Sequence, residues 1–595
     1  MTDLSEMSSP PITAMGDAAR AVPSRSDAAL FMAKAALLRI RRLWRDVGAP
    51  PRRHPIGVSL ADAPVIAHVG SPLWASEADP REAALTAGKV QNLRVATRCL
   101  DGVEVPAGSV FSFWRQIGRA TRGRGFVAGR ELREGCMIST VGGGLCQLSN
   151  ALYEAALNAG FEIVERHAHS RAVPGSRAVL GRDATVFWNY VDLRFRSPQA
   201  FRIEARMNGR DLEIWFRGTG SAGATDMPPP ILAPRGNVHD CVSCGQVSCF
   251  RQTTSPVVSQ ARQAAWLIDA CWPEYATLFT TQASSGDMLF LPMRGPLARR
   301  YAWPAASGRE VRATAVALAR ALAARRQPAQ GHAIQTLALT YDRRLAESYA
   351  RRLPYTQTHL VVSQSLLPHL WDLGCLQGRT FDVLMERWPL AELQRRLDHA
   401  LLVHPHSPTL GDFRAPAEII AAEVAALAAA NHLYTPHHAL AEALCGRATL
   451  VPWAVPKPAA TQRSPGGRAL LFPASPVGRK GIYALRAALQ GLDTELLIAG
   501  RAREDGSSLS SFWGDIPVRA LEGAAWPDRL AAVVLPAIME HQPRALLRAQ
   551  ALGLPVIAST ACGLKPQPGT TLVDPDDVPA LRAAIVACLD EASAT

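Results

Sequence analysis

At 595 residues the chain is too long for one hydrophobic core and calls for several domains. Its 48% hydrophobic and 19% charged residues exclude both a disordered chain and a membrane bundle. The formal net charge of +13 rests mainly on arginine in an alanine-rich background, with no dense basic run interleaved with aromatics, so nucleic acid is not an expected partner.

Residues 1–50 read as an N-terminal arm with a basic amphipathic helix, in which Leu30, Ala33, Leu37, Ile40 and Trp44 recur at helical spacing. The pattern serves a docked surface helix first and, as the alternative, peripheral contact of residues 28–46 with an anionic membrane. The apolar stretch is short and broken by Lys34, Arg39, Arg41, Arg42 and Arg45, so neither a cleavable signal nor a span is expected. Eleven unevenly spread cysteines do not form a secreted disulfide framework. The expected location is the cytoplasm, with the inner face of the membrane as the peripheral alternative.

Residues 51–218 read as an α+β domain. KVQNLRVATRCLDG is an expected helix ending at Gly102, VPAGSVFSFW a turn and strand, and residues 147–159 a helix closed by Gly160. FEIVERHAHS and ATVFWNYVDLRFRS follow as strands, then a hairpin pivots on Asn208-Gly209. Residues 219–275 read as a linker and Cys-rich segment. From residue 276, apolar strands alternate with helices: DMLFLPM, IQTLALTY, THLVVSQS, ALLVHPHS, ALLFPAS, TELLIAG, AAVVLPAI and LPVIAS. That alternation predicts doubly wound parallel sheets, divided here into residues 276–460 and 461–595.

Three stretches carry candidate chemistry. In VGGGLCQLSN the glycines permit a tight turn that delivers Cys146 to a helix start, where free N–H groups favour a thiolate. His167 and His169 lie two apart on the next strand and either could serve as base, with Asp183 or Asp192 orienting the imidazole. A buried structural cysteine and a zinc site of Cys146, His167 and His169 fit the spacing equally well. In HDCVSCGQVSCF, Cys241, Cys244 and Cys249 with His239 or Cys271 suit zinc, with an iron–sulfur cluster second and free thiols or a redox pair as the plain alternative. In AAVVLPAIMEHQ, Glu540 falls after a strand end, where a parallel sheet binds ligands, or is a surface Glu at a helix start. His332, His404, His406 and the run from Ser407 to Thr409 are candidates for lining a cleft, with no assigned role.

VPAGSVFSFWRQIG, VGGGLCQLSNALYEAALNAGFEIVERHAHS and GRDATVFWNYVDLRF closely resemble the VanW family over residues 57–218. Some VanW-domain proteins are regarded as cysteine-dependent L,D-transpeptidases of peptidoglycan, with the cysteine of a GGGxCQ motif as nucleophile. The resemblance implies that role for Cys146; thiol acyl transfer would then need His167 or His169 as base and then acid and Gln147 or backbone N–H groups as oxyanion donors, with Asp183 as the candidate orienter and Arg166 as a candidate substrate-binding residue. RKGIYALRAALQGLDTELLIAG and VVLPAIMEHQPRALLRAQALGLPVIAS resemble the nucleotide-binding domain of GT-B glycosyltransferases, the group that includes glycogen and sucrose synthases, over residues 465–592. By that resemblance Lys480 contacts the donor phosphates, with Arg479 adjacent, and Glu540 sits in the donor pocket. The chain departs from the pattern at Ser475, where the family has Arg, and at Arg548, where it has the Glu that binds the donor ribose.

The fold implied is an α+β VanW-like domain followed by a GT-B-like pair of doubly wound Rossmann-type domains. The first expectation for function is sugar transfer from a nucleotide donor onto a cell-envelope or surface-polysaccharide acceptor. The alternatives are thiol-dependent acyl or peptidyl transfer on a peptidoglycan-related substrate, with a non-catalytic GT-like module, and a binding scaffold.

Overall fold

The computed structural model describes residues 25–48, 50–74, 80–133, 136–168, 183–219, 264–295, 299–305, 308–326, 332–457, 467–500, 504, 509–521, 526–527 and 529–594. The chain divides into two compact units, Met1–Gln260 and Ala261–Thr595.

In the first unit, β1 (Val65–Pro72), β9 (Asp211–Gly218), β8 (Phe201–Met207) and β2 (Val103–Val105) lie in that order in an antiparallel sheet. β8 and β9 are the expected hairpin; Asn208 Oδ1 accepts the N–H groups of Arg210 and Asp211, each at 2.7 Å, which fixes the turn. Strand β9 alternates, sending Leu212, Ile214 and Phe216 into a core shared with Phe161, Phe195 and Phe201. A second sheet has the order β3 (Val110–Ser112), β7 (Arg194–Arg196), β6 (Glu162–Glu165), and β4 (Ala128–Arg133) pairs with β5 (Cys136–Val141). Helices α1 (Arg25–Val47), α2 (Pro80–Thr97), α3 (Phe113–Ile117) and α4 (Leu145–Asn158) accompany them, with α4 packed across β1 and β9.

The expected strand through ATVFWNYVDLRFRS is cut short. Phe187 and Val191 form an isolated bridge, and only Arg194–Arg196 joins a sheet. The reason lies in Asp192, buried to 2%, whose carboxylate accepts the Ser112 hydroxyl at 2.6 Å, the Trp114 N–H at 3.1 Å and the Leu193 N–H at 3.0 Å. Those bonds cap α3 and draw the chain out of the ladder. Asp192 is therefore spent on structure.

In the second unit, β12 (Arg309–Arg312), β11 (Met288–Leu291), β10 (Ala264–Leu267), β13 (His359–Ser363), β14 (Thr380–Leu384), β15 (His432–Thr435) and β16 (Ala448–Leu450) form one parallel sheet in that order. A second parallel sheet has β19 (Val518–Ala520), β18 (Glu495–Ile498), β17 (Ala469–Phe472), β20 (Ala532–Leu535), β21 (Val556–Ser559) and β22 (Thr570–Val573). Both begin with the 3-2-1-4-5-6 order of a doubly wound dinucleotide fold, so each has a switch point between its first and fourth strands.

Three expectations shift here. The first parallel sheet begins at β10, inside the stretch assigned to the linker and Cys-rich segment. IQTLALTY lies within a helix, His332–Ala350, and ALLV of ALLVHPHS is the last turn of Leu390–Val403. In the latter, Leu390, Leu393, Leu397 and Ala400 are buried at helical spacing, a period longer than the apolar run itself.

Candidate functional site

The glycine turn before Cys146 is built around close backbone approach. Gly142 and Gly144 have φ of 84° and 97°, and a Cβ on Gly143 would lie 2.3 Å from the Gly129 carbonyl oxygen. Asn92 on α2 knits the same place, donating to the Gly143 and Val127 carbonyls at 2.9 and 3.0 Å and accepting the Val127 N–H at 2.8 Å. The glycines thus let the β4–β5 hairpin, α2 and the start of α4 meet.

Cys146 follows in the first turn of α4, half-buried against the core. Its sulfur lies 3.5 Å from the Thr185 hydroxyl and 3.9 Å from the Val186 carbonyl. His167 turns to Glu165, Nε2 to Oε1 3.2 Å, with 47% of its side chain exposed. Asp183 takes the Arg166 guanidinium at 3.1 Å, and Arg166 stacks over Tyr153. Gln147 donates to the Ser71 hydroxyl at 2.9 Å and the Pro72 carbonyl at 2.7 Å, tying α4 to β1. His169, His239, Cys241, Cys244 and Cys249 lie outside the described residues. Among the described residues no group of three or more His, Cys, Asp or Glu is arranged to hold a metal ion.

In the second unit the polar residues gather at the two switch points. After β17, a short turn Gly478–Lys480 ends at Gly481, with φ 79°, where a Cβ would lie 1.8 Å from the Pro536 carbonyl. That approach brings Lys480 beside the end of β20. Lys480 Nζ meets Glu540 Oε2 at 2.6 Å, both side chains nearly buried, and Glu540 Oε1 accepts the N–H groups of His541 and Gln542 at 2.9 and 3.1 Å. Arg479 stacks over Phe413, and burial lowers its pKa. Arg548 is exposed and stacks over Trp526.

His541 and Gln542 line an open cavity of 580 Å³ together with Asp269, Cys271, Trp272, Arg300, Glu386 and Arg387. Asp269 follows β10, where Ser365, after β13, donates to it at 2.8 Å, and Glu386 follows β14. Among the described residues, Asp269 Oδ1, Glu386 Oε1 and His541 Nε2 meet no hydrogen-bond partner. Burial, and then the charge of Asp269, push the Glu386 carboxyl well above the usual range. Asp342 is raised by burial to about 7, although Arg320 pairs with it at 2.9 Å. Burial and nearby cations, Lys480 first among them, hold His541 neutral.

The reading of the sequence missed this carboxyl cluster. The available signal was the acid directly after an apolar strand in AAWLID and FDVLME. Of the cleft candidates, His404 stacks on Tyr483 at 4.3 Å, while Ser407 and Thr409 hold Glu504, the latter at 2.6 Å. His332 lies at the exposed start of its helix, beside Thr336.

Two family models match separate segments: VanW like protein over residues 88–217, and glycosyl transferases group 1 over residues 472–591. The chain joins a VanW domain to a group 1 glycosyl transferase domain. Among curated proteins, the VanW domain is 35% identical over 125 residues to the uncharacterized protein YoaR of Bacillus subtilis. It is 33% identical over 112 residues to the vancomycin B-type resistance protein VanW of Enterococcus faecalis. These alignments cover 21% and 18% of this chain and 41% of each relative, so the chain spans about two fifths of the length of either. Solved structures similar to the second unit include sucrose-phosphate synthase from Thermosynechococcus elongatus, with TM-score 0.39 and 18% identity over 56% of this chain and 91% of that one. Another is WaaG, a glycosyltransferase involved in lipopolysaccharide biosynthesis, with TM-score 0.32 and 13% identity over 56% and 95%.

Proposed function

We propose that the second unit transfers a sugar from a nucleotide donor to a hydroxyl of a cell-envelope saccharide, in the cavity between the carboxyl ends of its two parallel sheets. The observation that carries this reading is the convergence of both switch points on that cavity, with Lys480 and Glu540 beside it from one sheet and Asp269 and Glu386 from the other. Lys480 would exchange Glu540 for the donor's phosphates, with Arg300 and Arg387 adding positive charge at the cavity wall. In the transfer, the bond from the sugar's anomeric carbon to phosphate breaks, a bond to the acceptor oxygen forms, and the acceptor's proton passes to a carboxylate. Asp269 and Glu386, which both line the cavity, are the carboxyl groups placed to take that proton. Arg548, stacked on Trp526, does not line the cavity, so the donor's ribose would be held otherwise than in the family pattern. The proposed compartment is the cytoplasm.

Calorimetric titration with a panel of nucleoside diphosphate sugars tests the reading. Saturable binding of at least one donor is expected, weakened tenfold or more in Lys480→Ala and partly restored in Lys480→Arg. A panel that gives no binding to the wild type would sink it.

The competing reading, thiol-dependent acyl transfer at Cys146, requires a base for the thiol. Because the His167 imidazole faces Glu165, iodoacetamide labelling of Cys146, read by peptide mass spectrometry across pH, is expected to be unchanged in His167→Ala. Labelling that collapses in His167→Ala would move catalysis to the VanW domain. A pure scaffold would show neither donor binding nor an effect of Cys146→Ala on the cell envelope.

A further inference from the structure

Helix α1 meets the VanW domain with the wrong face for an ordinary docked helix. Ala35, Arg39, Arg42 and Asp46 share one side, and that side is the one held down. Arg42 forks onto both Glu165 oxygens at 2.8 Å and reaches Asp192 at 3.3 Å. Asp46 takes the Arg194 guanidinium at 3.0 and 2.9 Å, and Arg39 donates to the Trp188 carbonyl at 3.0 Å. The helix is therefore clamped by charge.

The opposite side is apolar and faces out. At about 100° per residue, Leu30, Leu37, Ile40, Leu43, Trp44 and Val47 fall within an arc centred roughly opposite Ala35. All six are exposed, Leu37 by 67%, Trp44 by 74% and Val47 by 73%. Lys34, Arg41 and Arg45 lie together along one edge of that arc and are exposed as well. Between Leu30 and Val47 the only acidic residue is Asp46, on the clamped side. No helix among the described residues is long and apolar enough to cross a membrane.

We infer that α1 is an interfacial helix that seats this unit on an anionic lipid bilayer. Its apolar arc enters the headgroup–acyl boundary while Lys34, Arg41 and Arg45 meet the lipid phosphates. A docked helix normally buries its apolar stripe and shows water its charges. Here the ion pairs to Glu165, Asp192 and Arg194 hold the helix in the reverse orientation, which presents the stripe to a partner. The unbroken basic edge selects an anionic partner with an apolar interior. The inference stands independently of the glycosyl-transfer reading, since it rests on α1 and its partners within the first unit alone.

Vesicle flotation of the full chain tests it, using phosphatidylcholine vesicles with and without phosphatidylglycerol. Binding is expected to the anionic vesicles and to be at least tenfold weaker to the neutral ones. Replacing Lys34, Arg41 and Arg45 together by Gln should weaken anionic binding roughly a hundredfold, at about 1 kcal/mol for each basic residue. Leu37→Glu with Trp44→Glu should abolish it, with the circular dichroism spectrum unchanged because both side chains are exposed. Wild-type protein that floats with neither vesicle overturns the inference. So does a concentration-dependent dimer, measured by sedimentation without lipid, that disappears in Trp44→Glu, since the arc would then belong to a second copy of the chain.

Discussion

Gly143 illustrates how a residue can be required for what it lacks. Its Cα faces the Gly129 backbone so closely that a methyl group would displace the β4–β5 hairpin or the start of α4. Gly143→Ala is therefore expected to cost about 1–3 kcal/mol, the usual range for overpacking, read as a lower midpoint of urea unfolding. A Cβ on Gly144 would run into the Cγ and Cβ of Lys89, close to that residue's backbone, and its φ of 97° makes Ala strained there as well. The motif GGGLC pointed to the turn and to Cys146 at a helix start, and both are present. The thiol's neighbours did not follow from the motif: Thr185 and Val186 come from a segment some forty residues on, brought back beside α4 by the return of β6.

At the scale of elements, α1 depends on a single cluster of charges. Burial tends to raise the Glu165 pKa, but the His167 and Arg42 hydrogen bonds outweigh it and hold the carboxyl at about 2. A depressed carboxyl contributes its stability in full above its ordinary value near 4.5 and loses it as pH falls toward 2. Amides of α1 should accordingly lose hydrogen-exchange protection through that window, ahead of those in α4, and Arg42→Ala should remove the protection at neutral pH. Equal loss in both helices would mean that Glu165 does not hold α1. Amphipathic spacing in α1 was legible from Leu30, Leu37 and Trp44, whereas the side that docks was not, because the spacing locates a stripe without naming what faces it. The same limit explains IQTLALTY and ALLVHPHS. Four apolar residues in a row satisfy a strand and one turn of helix alike, and the longer period around them decides.

Across the second unit, the two parallel sheets are tied by Glu274, fully buried, and Arg544, whose guanidinium forks onto it at 2.6 and 2.7 Å and stacks over Trp272 and Trp453. Truncating one partner of such a pair leaves a buried charge unmatched, so Arg544→Ala is expected to cost about 3–5 kcal/mol. Thermal unfolding should show a lower Tm, or a separate early transition if the two sheets come apart before they melt. An unchanged Tm would mean that solvent already screens the pair. Since Trp272 lines the cavity, donor affinity should fall along with stability.

By itself the sequence determined the order of domains, the parallel strands of the second unit and the positions of Lys480, Glu540 and Cys146, because periodicity, glycine turns and strand ends are local properties of a chain. Only the tertiary structure decided which groups meet. Asp269 and Glu386 are 117 residues apart and join one cavity through the order of strands, while His167 and Cys146, only 21 apart, face different partners. Strand order and helix orientation are set by long-range burial and ion pairing, and those energies belong to pairs of segments that no local pattern contains.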